Sequence, residues 1–320
     1  MPVKKIVSKK IDRLTIDNPR TPHKTEWLNI TNAGKTELEF LRQKYNFNME
    51  HIQASTASSF SQRPMVMEDG KYVFLILHFP IFLDGKIKAA EIDSFIGHGY
   101  IITLHNNNIP VFNNFFNLCK KEPASLNAYR LESSAILLAE ILEKLIMDCY
   151  LILDKNSYAI DDVEDVIFNQ EQKRAVSIIL NLRHNIISIR KILQNHKNIL
   201  QKLMDLESSV VPRPEIKKYY ISLVDHSKRI WESLENQKET IEVLNSTNES
   251  LLNDRMTNIM KTLTIFSVIV FPLTLLAAIF GMNAKYMPFV DHKYGFWIIV
   301  GIMLFLSFCM LIFFRKKRWL

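Results

Sequence analysis

The amino-acid sequence predicts an α+β membrane protein with an N-terminal α/β domain, a long stalk helix that continues into a first membrane span, and a second spanning helix. Three observations support this fold class. Short apolar runs bounded by glycines occur in the first 123 residues. The middle of the chain is almost free of glycine and proline. The last 60 residues contain two long runs without a charged side chain.

The N-terminal part divides into a lead-in segment and a small domain. Residues 1–24 are rich in lysine and contain two prolines, which predicts a loosely ordered lead-in. Within residues 25–123, short apolar runs occur at 27–30, 72–77 and 100–104. Runs of this length, bounded by turn residues, are typical of β-strands. We therefore expect residues 25–123 to form an α/β domain.

The middle of the chain is predicted to be helical. No glycine occurs between Gly99 and Gly281, and the stretch 124–261 contains only two prolines, at 212 and 214. Because glycine and proline are the strongest helix breakers, residues 124–211 are predicted to form long helices. After the two prolines, a stalk helix is expected over 215–261 and onward into the first span. From residue 215 to 280, this helix would be about 100 Å long.

The stalk helix carries a heptad-like apolar stripe. Its members are separated by three, four or seven residues: Ile216, Tyr220, Leu223, Ile230, Leu234, Ile241, Leu244 and Leu251. Polar residues interrupt the stripe at Ser227, Gln237 and Asn248. Two arrangements would bury such a stripe. The helix could associate with copies of itself into a funnel, or it could pack on the helix that precedes it.

The C-terminal part contains two candidate membrane spans. Residues 262–280 and 294–314 are uncharged runs of 19 and 21 residues, and about 20 apolar residues suffice to cross the hydrocarbon core. The connecting loop, 281–293, is short, so both outer ends of the hairpin face one compartment. Four basic residues follow the second span: Arg315, Lys316, Lys317 and Arg318. By the positive-inside rule, both termini are expected in the cytoplasm of a multi-pass inner-membrane protein surrounded by lipid.

Composition and motifs argue against several function classes. The chain has 320 residues and a formal net charge of +7, and its three cysteines form no CxxC pair. A disulfide framework and a cysteine zinc site are therefore not expected. Gly34-Lys35-Thr36 resembles the end of a phosphate-binding loop, but Asn29 occupies the position that needs glycine. The sequence predicts no enzyme, no cofactor and no nucleic-acid partner, since the basic excess is dispersed or used for topology.

One face of the first span could line a channel. At helical spacing, this face holds Met260, Leu263, Ser267, Phe271, Thr274 and Ala278. It offers hydroxyls and a thioether but no carboxylate, so it cannot compensate the dehydration of a divalent ion. Such a lining suits an ion that keeps its waters, and Mg²⁺ dehydrates reluctantly. A ring of Asn283 amides could accept hydrogen bonds from those waters. Ordinary small-residue helix packing is the alternative.

The C-terminal residues 258–320 resemble the CorA family of magnesium channels. The likeness rests on MKTLTIFSVIVFPLTLLAAIFGMN, then YMP, YGFW and RKKRWL. The GMN sequence at the outer end of the first of two C-terminal spans is the signature of this family. Weaker likenesses extend the resemblance over residues 25–320: EWLNIT at 26–31, QRP at 62–64, KYVFLILHF at 71–79 and VDH at 224–226.

The resemblance implies a homopentameric funnel with a cytoplasmic α/β domain and a stalk helix that enters the pore. It assigns selectivity at the outer mouth to Gly281, Met282 and Asn283. Four residues match pore-lining positions: Met260, Leu263, Thr274 and Ala278. Of these, Met260 and Leu263 would form a hydrophobic inner gate. The implied cargo is Mg²⁺, with Co²⁺ or Ni²⁺ as further ions. Zn²⁺ transport of the ZntB type, and a non-conducting membrane-anchored sensor or scaffold, remain as alternatives.

The sequence departs from the family pattern in three ways. After GMN the family continues MPEL, whereas this chain has Met287-Pro288-Phe289 and so lacks a ring of glutamates at the mouth. In the regulatory Mg²⁺ site between cytoplasmic domains, the family's L-E-D-I is matched by residues 49–52. Glu50 is kept, His51 replaces an aspartate, and the partner position on the stalk is Ser222. A His–Ser pair is a poor site for a hard cation, so feedback by internal Mg²⁺ is expected to be weakened, or relocated to Glu50 and the helix acids.

Overall fold

The structure is a computed structural model. It describes residues 8–17, 24–55, 63–83, 86–106, 108–121, 133–169, 171–206, 210, 214–282, 288, 293–317 and 319. The chain divides into two compact units, Met1–Leu244 and Asn245–Leu320, and one long helix contributes to both.

The described residues form six strands and eight helices. The strands are β1 (Ile11–Ile16), β2 (Thr25–Thr31), β3 (Met65–Glu68), β4 (Tyr72–Leu83), β5 (Lys86–Gly97) and β6 (Tyr100–His105). The helices are α1 (Lys35–Tyr45), α2 (Met49–Ala54), α3 (Pro110–Lys121), α4 (Ser134–Phe168), α5 (Gln172–Leu193), α6 (His196–Asp205), α7 (Pro214–Phe280) and α8 (Gly295–Lys316).

The strands form one sheet in the order β1-β2-β6-β5-β4-β3. Only β2 and β6 are parallel, and the other neighbours are antiparallel. The three apolar runs of the sequence form β2, β4 and β6, as predicted. The structure also places β1 inside residues 1–24, the segment predicted to be loosely ordered. Its residues pair with β2 from Ile11 opposite Ile30 to Ile16 opposite Thr25. Pairing with the sheet therefore orders a segment whose composition did not predict a strand.

One face of the sheet is covered by α1 and α2. Its core contains aromatic side chains in close contact, such as Phe47 and Phe95, whose ring centroids are 4.4 Å apart. The aliphatic members come from the strands and from both helices: Leu28, Ile30, Leu38, Leu41, Ile52, Ile76, Ile102 and Leu104. The alternation of side chains along β-strands explains why these residues share one face.

The other face of the sheet carries a buried tryptophan that packs against α3. The Trp27 ring lies within 5.9 Å of three phenylalanine rings of that helix, Phe112, Phe115 and Phe116. Its Nε1 donates to Thr103 Oγ1 at 3.0 Å, which pairs the indole N–H as a fully buried tryptophan requires. This contact joins β2 to β6 through side chains as well as through the backbone.

Asp93 on β5 is a buried carboxyl group. It is 4% exposed, and its Oδ1 has no hydrogen-bond partner within the described part of the chain. Burial raises the pKa of Asp93 well above its usual range, and the negative charge of Glu91 raises it further, whereas a hydrogen bond with Ser55 opposes the rise. Asp93 therefore retains a proton in the folded protein at pH values where the unfolded chain has released it.

Replacing Asp93 by asparagine is expected to stabilise the protein, and to do so more at about pH 8 than at about pH 5. The folded state binds more protons than the unfolded state above the unfolded pKa, so the free energy of unfolding of the wild type falls as pH rises. Asparagine has nearly the same shape and does not ionise. Thermal unfolding of the full-length protein in detergent measures the difference, with exposed Asp205→Asn as the control. An equal gain at both pH values would contradict the expectation.

The region predicted to form long helices contains three of them, with breaks that the sequence does not mark. Residues 134–205 are divided between α4, α5 and α6, and the breaks contain neither glycine nor proline. At the first break the Asn169 N–H donates to Asp165 O at 2.9 Å and ends α4. The chain then reverses, and α5 packs along α4. Tertiary packing, which composition does not report, sets these helix ends.

Helix α7 buries a heptad stripe in its first half. The polar residues Ser227 and Gln237, which interrupt the apolar pattern in the sequence, are buried along with it. The buried positions in the first unit follow one another at three or four residues: Tyr220, Leu223, Ser227, Ile230, Leu234, Gln237, Ile241 and Leu244. Two polar members contact α4. The Tyr220 Oη donates to Ala135 O at 2.8 Å, and the Gln237 Nε2 donates to Leu153 O at 2.9 Å and to Ser157 Oγ at 2.8 Å.

Helix α5 contacts the same part of α7. Arg190 forms an ion pair with Glu235, and its guanidinium carbon lies 4.8 Å from the centroid of the Trp231 ring. Of the two arrangements left open for the stripe, packing on the preceding helices of the same chain is therefore confirmed for residues 220–244.

Candidate functional site

The second half of α7 and the whole of α8 are apolar helices with exposed surfaces. Both are long and apolar enough to cross a membrane. Helix α8 has 22 residues, which corresponds to about 33 Å. Within residues 262–280, Ile265 is the one buried side chain, so almost all the apolar surface faces outward. Exposed apolar surface on this scale marks contact with lipid or with other chains.

The predicted pore-lining residues share one face of α7. Their spacing of three or four residues aligns them along a straight helix, and five of the six are exposed within the chain: Met260, Leu263, Phe271, Thr274 and Ala278. Ser267, in the middle of the face, is half-buried. Leu263 is 63% and Phe271 71% exposed, so the described part of the chain leaves most of both residues uncovered.

The Thr274 hydroxyl is available as a hydrogen-bond acceptor and not as a donor. Its Oγ1 donates to Val270 O at 2.9 Å, which uses the hydroxyl proton inside the helix. The remaining lone pairs face away from the helix. Waters bound to a cation direct their hydrogens outward, so an acceptor-only hydroxyl suits a hydrated cation. Between residues 260 and 278, this face carries no carboxylate side chain.

Pro272 interrupts the hydrogen bonding of α7 within the same span, on a different side of the helix. It lies inside the helix and has no N–H, so the carbonyl of Val268 loses its usual helical partner. Proline at such a position bends helices, and a released carbonyl is an additional acceptor. Helical spacing alone does not reveal this interruption, although Pro272 is visible in the sequence as the one proline of the first span.

The end of α7 forms the part of the predicted mouth that the structure describes. The Gly281 N–H donates to Ala277 O at 2.9 Å, and the Met282 N–H donates to Ile279 O at 3.2 Å. A Cβ atom on Gly281 would lie 3.1 Å from Ala277 O, a tight contact that a larger residue could relieve only by a small local shift. Met282 is 63% exposed. Asn283 lies outside the described residues, as do Met287 and Phe289.

The three predicted regulatory residues have different environments. The Glu50 side chain on α2 and the Ser222 side chain on α7 are exposed, whereas His51 is buried. The His51 ring stacks on Phe74 with centroids 4.8 Å apart, and its Nδ1 lies 2.8 Å from Tyr72 Oη. Burial lowers the pKa of His51, and the negative charges of Asp69 and Glu50 oppose this.

A single chain does not assemble a metal site from these residues. Across the described ranges, no three His, Cys, Asp or Glu side chains are grouped so that they could hold a metal ion. The outward-facing carboxylate of this segment is Glu50. The contact of His51 with Tyr72 joins residues 21 positions apart on α2 and β4, which no local sequence pattern could indicate.

The basic residues after the second span lie at the end of α8. Arg315, Lys316 and Lys317 are exposed, and Arg318 lies outside the described residues.

Comparison with known proteins places the chain in one family. The profile of the family described as CorA-like Mg²⁺ transporter protein matches residues 23–316. The cobalt/magnesium transport protein CorA of Thermotoga maritima is 24% identical over 301 residues, which cover 92% of this chain and 83% of the relative. The protein of the same description from Methanocaldococcus jannaschii is 21% identical over 315 residues, with coverages of 98% and 96%.

Solved structures share the fold. The complete CorA magnesium transporter from M. jannaschii matches with a TM-score of 0.82 and 20% identity over 92% of both chains. The cytoplasmic domain of ZntB from Vibrio parahaemolyticus matches with a TM-score of 0.61 and 16% identity over 76% of this chain. At such identities these likenesses show the fold alone. Because the family profile spans nearly the whole sequence, the protein belongs to the CorA-like Mg²⁺ transporter family, and it is a membrane transporter with two apolar helices.

Proposed function

We propose that the chain forms a homopentameric channel that carries hydrated Mg²⁺ into the cytoplasm, with Co²⁺ and Ni²⁺ as further ions. Selectivity resides at Gly281, Met282 and Asn283, and Met260 with Leu263 forms the inner gate. The membrane potential drives the ion inward. Two charges gain about 4.6 kcal/mol across 100 mV, so no chemical energy source is needed.

One observation carries this proposal. In a chain of the CorA-like family, a single helix presents the pore face outward from residue 260 to residue 278 and ends directly at Gly281 and Met282. An outward face without carboxylates is suited to line an axis shared by several copies. The four basic residues 315–318 that follow the second span support a cytoplasmic location of both termini, since the loop between the spans carries fewer positive charges.

Uptake by proteoliposomes tests the proposal. Vesicles that contain the purified protein are expected to take up Mg²⁺ when the interior is made negative, and to take up less without a potential. Zn²⁺ uptake that follows a proton gradient, without Mg²⁺ uptake, would favour a zinc transporter of the ZntB type. No flux of either ion would favour a non-conducting sensor or scaffold.

Internal Mg²⁺ is expected to inhibit this channel weakly. The regulatory position holds a buried histidine and an exposed serine in place of acidic ligands, and Glu50 is the carboxylate that remains. The rate of uptake, measured at increasing concentrations of Mg²⁺ inside the vesicles, gives the inhibition constant. Glu50→Gln is expected to abolish the remaining inhibition, whereas exposed Glu39→Gln on α1 should leave it unchanged. Ordinary sensitivity to internal Mg²⁺ that survives both Glu50→Gln and His51→Ala would contradict the proposal.

A further inference from the structure

The whole formal charge of the protein belongs to its C-terminal part. Residues 1–254 contain 32 Lys+Arg and 32 Asp+Glu, whereas residues 255–320 contain eight and one. Half of these eight basic side chains occur at 315–318, directly after the second span. The single acid, Asp291, belongs to the loop at the other end of that span. The basic residues 315–318 therefore have no acidic neighbour in sequence.

The chain folds back against the last turn of α8. The Lys317 N–H donates to Phe313 O at 3.0 Å, and the Trp319 N–H donates to Phe314 O at 3.1 Å. The rings of Phe314 and Trp319 lie with centroids 5.9 Å apart at an interplanar angle of 31°. Phe314 is buried, whereas Trp319 keeps 44% of its surface exposed. Backbone hydrogen bonds and a ring contact thus fix an accessible indole beside the end of the helix.

This turn leaves three cations exposed and unpaired. The side chains of Arg315, Lys316 and Lys317 form no ion pair or hydrogen bond with any residue that the structure describes. Since α8 has about the length of the hydrocarbon core, its end lies at the depth of the lipid headgroups. The cations and the indole are therefore presented to the phosphates of one leaflet.

We propose that the end of α8 is a binding site for the phosphate of an anionic phospholipid, held by Arg315, Lys316 and Lys317 and covered by Trp319. A guanidinium pairs with two phosphate oxygens at once, and ammonium groups add point charges. An indole prefers the membrane interface, where it contacts the glycerol and upper acyl chain. A free phosphate ion offers the same oxygens but nothing for Trp319 to contact, so the indole selects the lipid.

Binding of radiolabelled phosphatidylglycerol to the full-length protein in neutral detergent tests this site. The triple variant Arg315→Gln/Lys316→Gln/Lys317→Gln is expected to bind about a hundredfold more weakly, since each cation near an anionic headgroup contributes roughly a factor of five. Lys293→Gln is the matched control because Lys293 lies beside Tyr294 at the other end of α8. It is expected to bind like the wild type.

Trp319→Ala separates the lipid from a free anion, because it keeps every charge. It is expected to weaken binding of phosphatidylglycerol and to leave binding of inorganic phosphate unchanged. Three results would overturn the proposal: lipid binding unchanged in the triple variant and in Trp319→Ala, equal loss in Lys293→Gln, or displacement of the lipid by an equal concentration of inorganic phosphate. The measurement does not involve ion flux, so its failure would leave the proposed channel function untouched.

Discussion

Replacement of Asn283 by alanine is expected to reduce Mg²⁺ uptake to the level of protein-free vesicles. Asn283 follows Gly281 and Met282 at the end of the pore helix. In the proposed pentamer, its amides form a ring that accepts hydrogen bonds from the waters of the arriving cation. At about 1 kcal/mol for each lost bond, five copies weaken this interaction by about 5 kcal/mol, which corresponds to more than three powers of ten.

The matched control for this variant is Asn258→Ala. Asn258 is exposed on α7 and lies on the side of the helix opposite Met260, Leu263 and Ser267. Its replacement is expected to leave uptake unchanged. Size-exclusion chromatography must show the same assembly for both variants and the wild type. Normal uptake by Asn283→Ala in an intact assembly would show that Asn283 at the mouth does not contribute to selectivity.

Replacement of Leu263 by asparagine is expected to open the inner gate permanently. Met260 and Leu263 are one turn apart on the exposed pore face, and a ring of such side chains excludes water from a narrow channel. An amide at this level hydrates the constriction. We expect uptake at zero potential to rise roughly tenfold, which requires only about 1.4 kcal/mol less barrier. Uptake should also lose any dependence on internal Mg²⁺.

The control for the gate is the same substitution on another face of the same helix. Ile269→Asn changes hydrophobicity as Leu263→Asn does, but Ile269 lies opposite Ser267 and Phe271. It is expected to leave zero-potential uptake at the level of the wild type. Equal zero-potential uptake by the two variants would indicate general damage to the span. The proposal that Leu263 forms the gate would then be wrong.

The sequence was sufficient for those parts of the fold in which one continuous segment carries the signal. The runs that form β2, β4 and β6 are apolar because these strands lie inside the sheet and are covered on both faces. β1 was missed because it is an edge strand, with exposed charges at Asp12 and Arg13 and flanking lysines. Its order comes from pairing with β2, which composition cannot reveal.

Helix ends and buried polar residues also depended on distant partners. The boundaries between α4, α5 and α6 follow from the packing of α5 on α4, since no helix breaker marks them. Gln237 looked like an interruption of a stripe, yet its amide reaches Leu153 O and Ser157 Oγ, which lie 84 and 80 positions away in the sequence. A buried polar residue becomes understandable only when its partner is known.

The candidate site likewise contains features that one continuous segment predicts and features that depend on distant residues. That the proposed pore-lining residues share one face could be predicted because all of them belong to one helix, where spacing alone decides which side chains share a face. The environment of His51 could not, because Tyr72 and Phe74 approach it from a strand. The hydroxyl of Thr274 could be assigned to the pore face, but its role as an acceptor required the bond to Val270 O.

The separation of charge along the chain has a colloidal consequence. Every copy that joins an assembly adds seven positive charges from residues 255–320 and none from residues 1–254. Mutual repulsion between copies is therefore confined to the membrane part, while the water-soluble part contributes almost none. At low ionic strength, where screening extends over about 30 Å, a purified assembly in neutral detergent should loosen first at its membrane end. Added salt should hold it together.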